Sequence, residues 1–106
     1  MTIATHPDWR RRRLSAWLLL DLLATARGRA AAQCTLEVRS GNGAAIALYE
    51  KLGFEQVGVR CDYYPASGRR GSEDALIMTL FGLDIGAVWQ PLKARMAKIE
   101  AALLNE

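Results

Sequence analysis

LEVRSGNGAAIALYEKLGF, from Leu36 to Phe54, strings a strand, a tight turn, a short helix and a glycine exit into one stretch. Thr35 to Arg39 alternates with period two, so Leu36 and Val38 face one way and Glu37 and Arg39 the other. Ser40-Gly41-Asn42-Gly43 is a turn, and Asn42 suits the N-cap of a helix from Gly43 to Leu52. Gly53 suits the position just past that helix, where a left-handed residue commonly stands. The strand carries one carboxylate, Glu37, and the last helical turn carries one phenol, Tyr49. A carboxylate can take a proton from an amine, and a phenol can give one to a thiolate.

Outward from this stretch, Met1 to Thr5 is a short β-type run broken by Pro7 and Asp8. Leu14, Trp17, Leu18, Leu22 and Ala26 recur at helical spacing, which predicts a helix ending near Gly28. Phe54 to Cys61 and Asp74 to Leu80 read as strands, separated by a Pro-, Ser- and Gly-containing loop at 65–71. Beyond Gly82 the pattern changes. Ile85, Val88, Trp89, Leu92, Met96, Ile99 and Leu103 mark an amphipathic helix, and Pro91 predicts a kink or restart within it. The predicted class is α/β (α+β): strand, helix, strand, helix, strand, strand, helix, with a portion at 1–82 and a helical extension at 83–106.

The chain has 106 residues, room for one small domain. No apolar run approaches the roughly 18–20 residues that cross a bilayer, and the first residues lack the pattern of a signal peptide. A cytoplasmic protein without a membrane partner is the expectation. Cys34 and Cys61 lack CxxC spacing and read as free thiols; with a single histidine, no metal site is expected. Net charge is +3, and four consecutive arginines, Arg10 to Arg13, concentrate the basicity. Such a run is a solvated face, a nucleic-acid patch, or an anion site, because it adjoins the free N–H groups of a helix start. Nucleic acid is the weakest of these, since no aromatic residues interleave the arginines as in single-strand binders.

Three segments together, HPDWRRRRLSAWLLLDLL, LEVRSGNGAAIALYEKLGFEQVGVRCDYY and EDALIMTL, resemble the C-terminal half of a GCN5-related N-acetyltransferase. In particular they resemble the bacterial enzymes that acetylate the N-terminal alanine of ribosomal protein S18. The resemblance spans about Ile3 to Leu80. It implies a partial acetyltransferase fold: a mixed, mostly antiparallel sheet flanked by helices, without the family's N-terminal strands and with an extra C-terminal helix. It implies acetyl-CoA as cosubstrate, no metal, and a protein N-terminus of the S18 type as acceptor.

Residue roles follow from the same resemblance. The pyrophosphate motif R/Q-x-x-G-x-G/A falls on Arg10, Arg13 and Ser15, so both expected glycines are replaced. Arg10, Arg11, Arg12, Arg13, Leu14, Ser15 and Ala16, with Asn42 and Tyr49, are the implied cofactor contacts. Glu37 is the implied general base and Tyr49 the implied general acid. Tyr63, Tyr64 and Glu73 are implied to meet the acceptor. Without the family, Glu37 reads as an outward strand residue paired with Arg39 or Arg60, Tyr49 as a packed aromatic, and Asn42 as a plain cap.

The family's first three strands and two helices have no counterpart in the quoted segments. Two functions therefore stand. One is a peptide α-N-acetyltransferase. The other is a truncated, non-catalytic module that binds CoA or assembles with a homodimer mate or another partner that completes the sheet.

Overall fold

The computed structural model describes residues 2–4, 12–64 and 73–104. Along the chain run β1 (Thr2–Ala4), α1 (Arg12–Gly28), β2 (Gln33–Arg39), α2 (Gly43–Leu52), β3 (Glu55–Tyr64), β4 (Glu73–Phe81) and α3 (Gly86–Leu104). The order matches the sequence expectation. The loop expected at 65–71 lies outside the described residues. No helix among the described residues is long and apolar enough to cross a membrane.

The chain divides into two compact units. The first holds α1 and α3 with the segments beside them, 12–34 and 81–104 among the described residues. Leu20, Leu23, Ala26, Leu83, Trp89 and Leu92 are buried there. Two polar ties join the helices. Trp17 Nε1 donates to Glu100 Oε1 at 2.9 Å. Arg27 lies over the Trp89 ring, 5.6 Å from its centroid, and its Nε donates to the Leu83 carbonyl at 3.2 Å.

Of the periodic set, Leu14, Leu18 and Leu22 are exposed, Trp17 is half-buried and Ala26 is buried, while α1 also buries Ala16, Leu19, Leu20 and Leu23. The sequence LSAWLLLDLL is apolar on more than one face, so spacing alone did not select the buried one. Pro91 lies inside α3 without a restart. It cannot donate to the carbonyl of Ala87, four residues back, and a proline so placed favours a kink there.

The second unit is a sheet with α2, built from 2–4, 35–64 and 73–80 among the described residues. The sheet order is β1-β2-β4-β3. β1 runs parallel to β2, and β3 runs antiparallel to β4. β2 and β4 are antiparallel too: Thr35 meets Thr79 through their hydroxyls at 2.9 Å, and Ser40 N–H bonds the Asp74 carbonyl at 3.0 Å. The alternation read in β2 holds, since Leu36 and Val38 are buried while Glu37 is half-buried and Arg39 exposed. Ala45, Tyr49 and Leu52 of α2 are buried in this unit, as are Phe54, Met78 and Leu80.

The helix caps follow their residue types. The Asn42 side chain accepts from Ala45 N–H at 3.2 Å. Gly53 sits at φ +105°, and the Phe54 N–H returns to the Tyr49 carbonyl at 2.9 Å. A methyl on Gly53 would lie 3.2 Å from Leu80 Cδ1. Gly53→Ala therefore adds left-handed strain to a tight contact, and should lower the unfolding free energy by about 1–2 kcal/mol in a urea titration.

Candidate active site

The sheet's pairing arranges the candidate residues in rungs. β3 and β4 pair Arg60 with Ala75 and Tyr64 with Glu73. Extending the two β2–β4 contacts in register sets Glu37 opposite Ile77, Arg39 opposite Ala75, and Gly41 opposite Glu73. Opposed residues share a face, and so do residues two apart on one strand. Glu37, the Arg39–Ala75–Arg60 rung and Glu73 therefore lie on one face, in that order.

Glu37 is 20% exposed at its side chain, and its Oε1 lies 3.4 Å from Nη1 of Arg60. Strands β2 and β3 flank β4, about 10 Å apart. The guanidinium spans that gap on the rung where β4 contributes only the small Ala75. The Arg60 guanidinium also stands over the Tyr63 ring, 5.3 Å from its centroid. Of the two arginines that sequence offered as partners, the structure pairs Arg60 with Glu37.

Tyr63 is exposed and belongs to an irregular stretch between the Arg60 and Tyr64 pairs. Within it Asp62 adopts φ +54°, and its N–H donates to Asp74 Oδ1 at 2.9 Å. Aspartate tolerates that conformation better than most residues, and the side-chain acceptor satisfies an amide that the bulge takes out of the ladder. The Tyr64 side chain lies outside the described residues.

Glu73 is half-buried. Its Oε2 is buried, and no described group hydrogen-bonds to it. The carboxylate packs against the turn after β2, where a methyl on Gly41 would stand 3.6 Å from Oε2. Glycine at that position leaves the carboxylate its space. A carboxylate oxygen removed from water without a donor is costly.

Tyr49 is only 2% exposed. Its ring meets Phe54 at a centroid distance of 5.9 Å and a tilt of 56°. The packed-aromatic reading of its ring is therefore correct as far as it goes.

Residues 12–16 belong to the other unit. Arg10, Arg11 and the Arg12 side chain lie outside the described residues. α1 begins at Arg12, so the arginine run overlaps the helix start, as the sequence implied. Arg13 and Leu14 are exposed, Ser15 is half-buried and Ala16 is buried. Cys34 is buried, and burial pushes its thiol pKa up. Among the described residues no group of three or more His, Cys, Asp or Glu side chains is placed to hold a metal.

Comparison with known proteins identifies the class. Residues 1–54 match the model of the acetyltransferase (GNAT) family. The chain belongs to that family. It is 47% identical over 78 residues to the [ribosomal protein bS18]-alanine N-acetyltransferase of Salmonella typhimurium, an alignment covering 74% of this chain and 51% of that protein. The crystal structure of the ribosomal-protein-S18-alanine N-acetyltransferase from Escherichia coli superposes with a TM-score of 0.62 at 46% identity, covering 72% of this chain and 48% of that one. Chaetomium thermophilum Naa20, solved in complex with a bisubstrate analogue, gives a TM-score of 0.65 at 33% identity, covering 79% of this chain and 48% of that one. The chain thus spans about half the length of the relatives it matches, and its mixed sheet and helices form part of the family's fold.

Sequence reasoning named Arg60 only as one alternative partner for Glu37. Its position over Ala75 is a consequence of strand order, and no local motif announces it.

Proposed function

We propose that the chain carries the acetyl-transfer site of an acetyl-CoA-dependent peptide α-N-acetyltransferase, with a protein N-terminus of the ribosomal S18 type as acceptor. The observation that carries this reading is the half-buried Glu37 on the strand that leads into the Asn42-capped helix bearing Tyr49. Acetyl-CoA supplies an acetyl group activated as a thioester. Glu37 accepts a proton from the acceptor ammonium, directly or through a water. An α-amino group has an ordinary pKa near 8, so its deprotonation near neutral pH is inexpensive. The Tyr49 hydroxyl gives a proton to the departing thiolate. Phenol and thiol pKa values differ by only about 1–2 units, which keeps that step feasible. Asn42 contacts the CoA arm while capping α2. Tyr63 and Tyr64 meet the acceptor, and Glu73 serves acceptor binding from the neighbouring rung.

The residues at the start of α1 suit a pyrophosphate. First-turn N–H groups and the helix dipole favour an anion, and arginines set against that dipole are unfavourable until one binds. Arg10, Arg11, Arg12, Arg13, Leu14, Ser15 and Ala16 would hold it, with arginine and serine where glycines are usual. Residues 1–82 are the acetyltransferase portion in this reading and 83–106 the extension.

A second reading is a non-catalytic module that binds CoA or assembles with a partner. The exposed row Leu14, Leu18 and Leu22 on α1 favours it, as an apolar surface open to a second chain or to further sheet. One experiment separates the two: incubate the 106-residue chain with acetyl-CoA and a peptide beginning Ala-Arg, and follow the acetylated peptide by mass spectrometry. Product formation is expected. CoA binding without product would favour the module. CoA affinity should also fall steadily with added salt, because exposed arginine contacts are screened within a Debye length of about 10 Å at 0.1 M. Affinity indifferent to salt would remove the arginine run from the phosphate site.

A further inference from the structure

We propose that Arg60 is a displaceable counter-ion of Glu37, a positioning residue whose guanidinium moves onto Glu73 when the acceptor's ammonium binds. The inference rests on the reading of Glu37 as the carboxylate that receives the amine, and it specifies how that carboxylate is kept for it.

Arg60 occupies the rung between the two glutamates. Glu37 lies one rung to one side and Glu73 one rung to the other, each step being about 7 Å along the strand. The middle position on that rung is Ala75, whose methyl group obstructs neither direction. The observed pair is loose. Its 3.4 Å separation exceeds the roughly 2.7–2.9 Å of a charge-assisted hydrogen bond, and the Arg60 side chain is 54% exposed. Such a pair holds a rotamer but yields readily to a competing cation.

Glu73 supplies the other seat. Its Oε2 is buried and accepts no hydrogen bond from any described group, and Gly41 leaves the carboxylate its room. The structure thus has two carboxylates on one face with the Arg39–Ala75–Arg60 rung between them, and Arg60 pairs with one. An ammonium arriving at Glu37 meets a guanidinium already there, and two cations on one carboxylate repel. Transfer of Arg60 to Glu73 removes that repulsion and satisfies the buried oxygen. Tyr63, in the irregular stretch between the two rungs, offers its ring face to the guanidinium and keeps it near the sheet. Glu73 then acts on acceptor binding indirectly, through Arg60.

The test is a double-mutant cycle between Glu73→Gln and Arg60→Gln, read as kcat and KM for the Ala-Arg peptide. Glu73→Gln alone should raise KM about fivefold, the scale of one exposed-pair energy, with a smaller change in kcat. In the Arg60→Gln background the same substitution should leave KM unchanged, and Arg60→Lys should restore the dependence. A rise in KM of equal size in both backgrounds would mean that Glu73 binds the acceptor directly, and would overturn the proposal. A second measurement does not need turnover. In nitrogen-15-labelled protein, the Arg60 Nε–H resonance should shift on titration with alaninamide, and should not shift when Glu37 is glutamine. An immobile resonance in the parent protein overturns the proposal even if the enzyme is active. Absence of acetylation with a mobile resonance would instead count against the proposed function alone.

Discussion

Glu37→Gln is expected to lower kcat for peptide acetylation by about 10²–10⁴-fold while leaving the chain folded. Glutamine is nearly isosteric and keeps an oxygen beside Arg60, but it cannot hold a proton taken from an ammonium. The structural loss is small. The pair it replaces is 3.4 Å long with one partner 54% exposed, and exposed pairs contribute at most about 1 kcal/mol. A urea titration should therefore show nearly the parent's midpoint, while mass spectrometry shows the product gone. Equal product from parent and variant would remove Glu37 from the chemistry and leave it the plain strand residue that also fits its position. A control with raised pH separates the two losses. If Glu37 only removes a proton, more alkaline solution supplies neutral amine and recovers part of the rate for the variant.

The local code of the second unit was legible because it is written in adjacent residues. Alternation in Thr35–Arg39 depends on the two-residue period of a strand. The Asn42 cap depends on one side chain reaching the amide three residues on, and the Gly53 exit depends on a left-handed φ. Choices set by distant residues were not legible. The preference of Glu37 for Arg60 over Arg39 needs β4 inserted between β2 and β3, with alanine on the shared rung. The orphan oxygen of Glu73 needs the turn at Gly41 folded against it. In the first unit, a helix apolar on several faces carried no sign of which row would be buried, and Leu14, Leu18 and Leu22 are exposed.

Tyr49 calls for two substitutions, because packing and proton donation are superposed in one side chain. At 2% exposure, with its ring tilted on Phe54, Tyr49 fills core volume in α2. Tyr49→Ala should cost about 3–5 kcal/mol, the range for deleting a buried aromatic. A small domain has roughly 5–15 kcal/mol in total, so this variant should melt far below the parent and aggregate on warming. Its inactivity would say nothing about acid catalysis. Tyr49→Phe preserves the ring and the Phe54 contact and removes only the hydroxyl. Its stability should stay within about 1.5 kcal/mol of the parent, the usual worth of one hydrogen bond. Its kcat should nevertheless fall, by about 10²-fold at the lower end for a lost acid. A thiol leaving group already acidic enough to depart without help should erase that difference. An acetyl donor with a thiol of lower pKa than CoA should therefore be used at nearly equal rates by parent and Tyr49→Phe. If the phenylalanine variant instead matches the parent with acetyl-CoA itself, the hydroxyl has no part in the transfer, and Tyr49 belongs to the core alone.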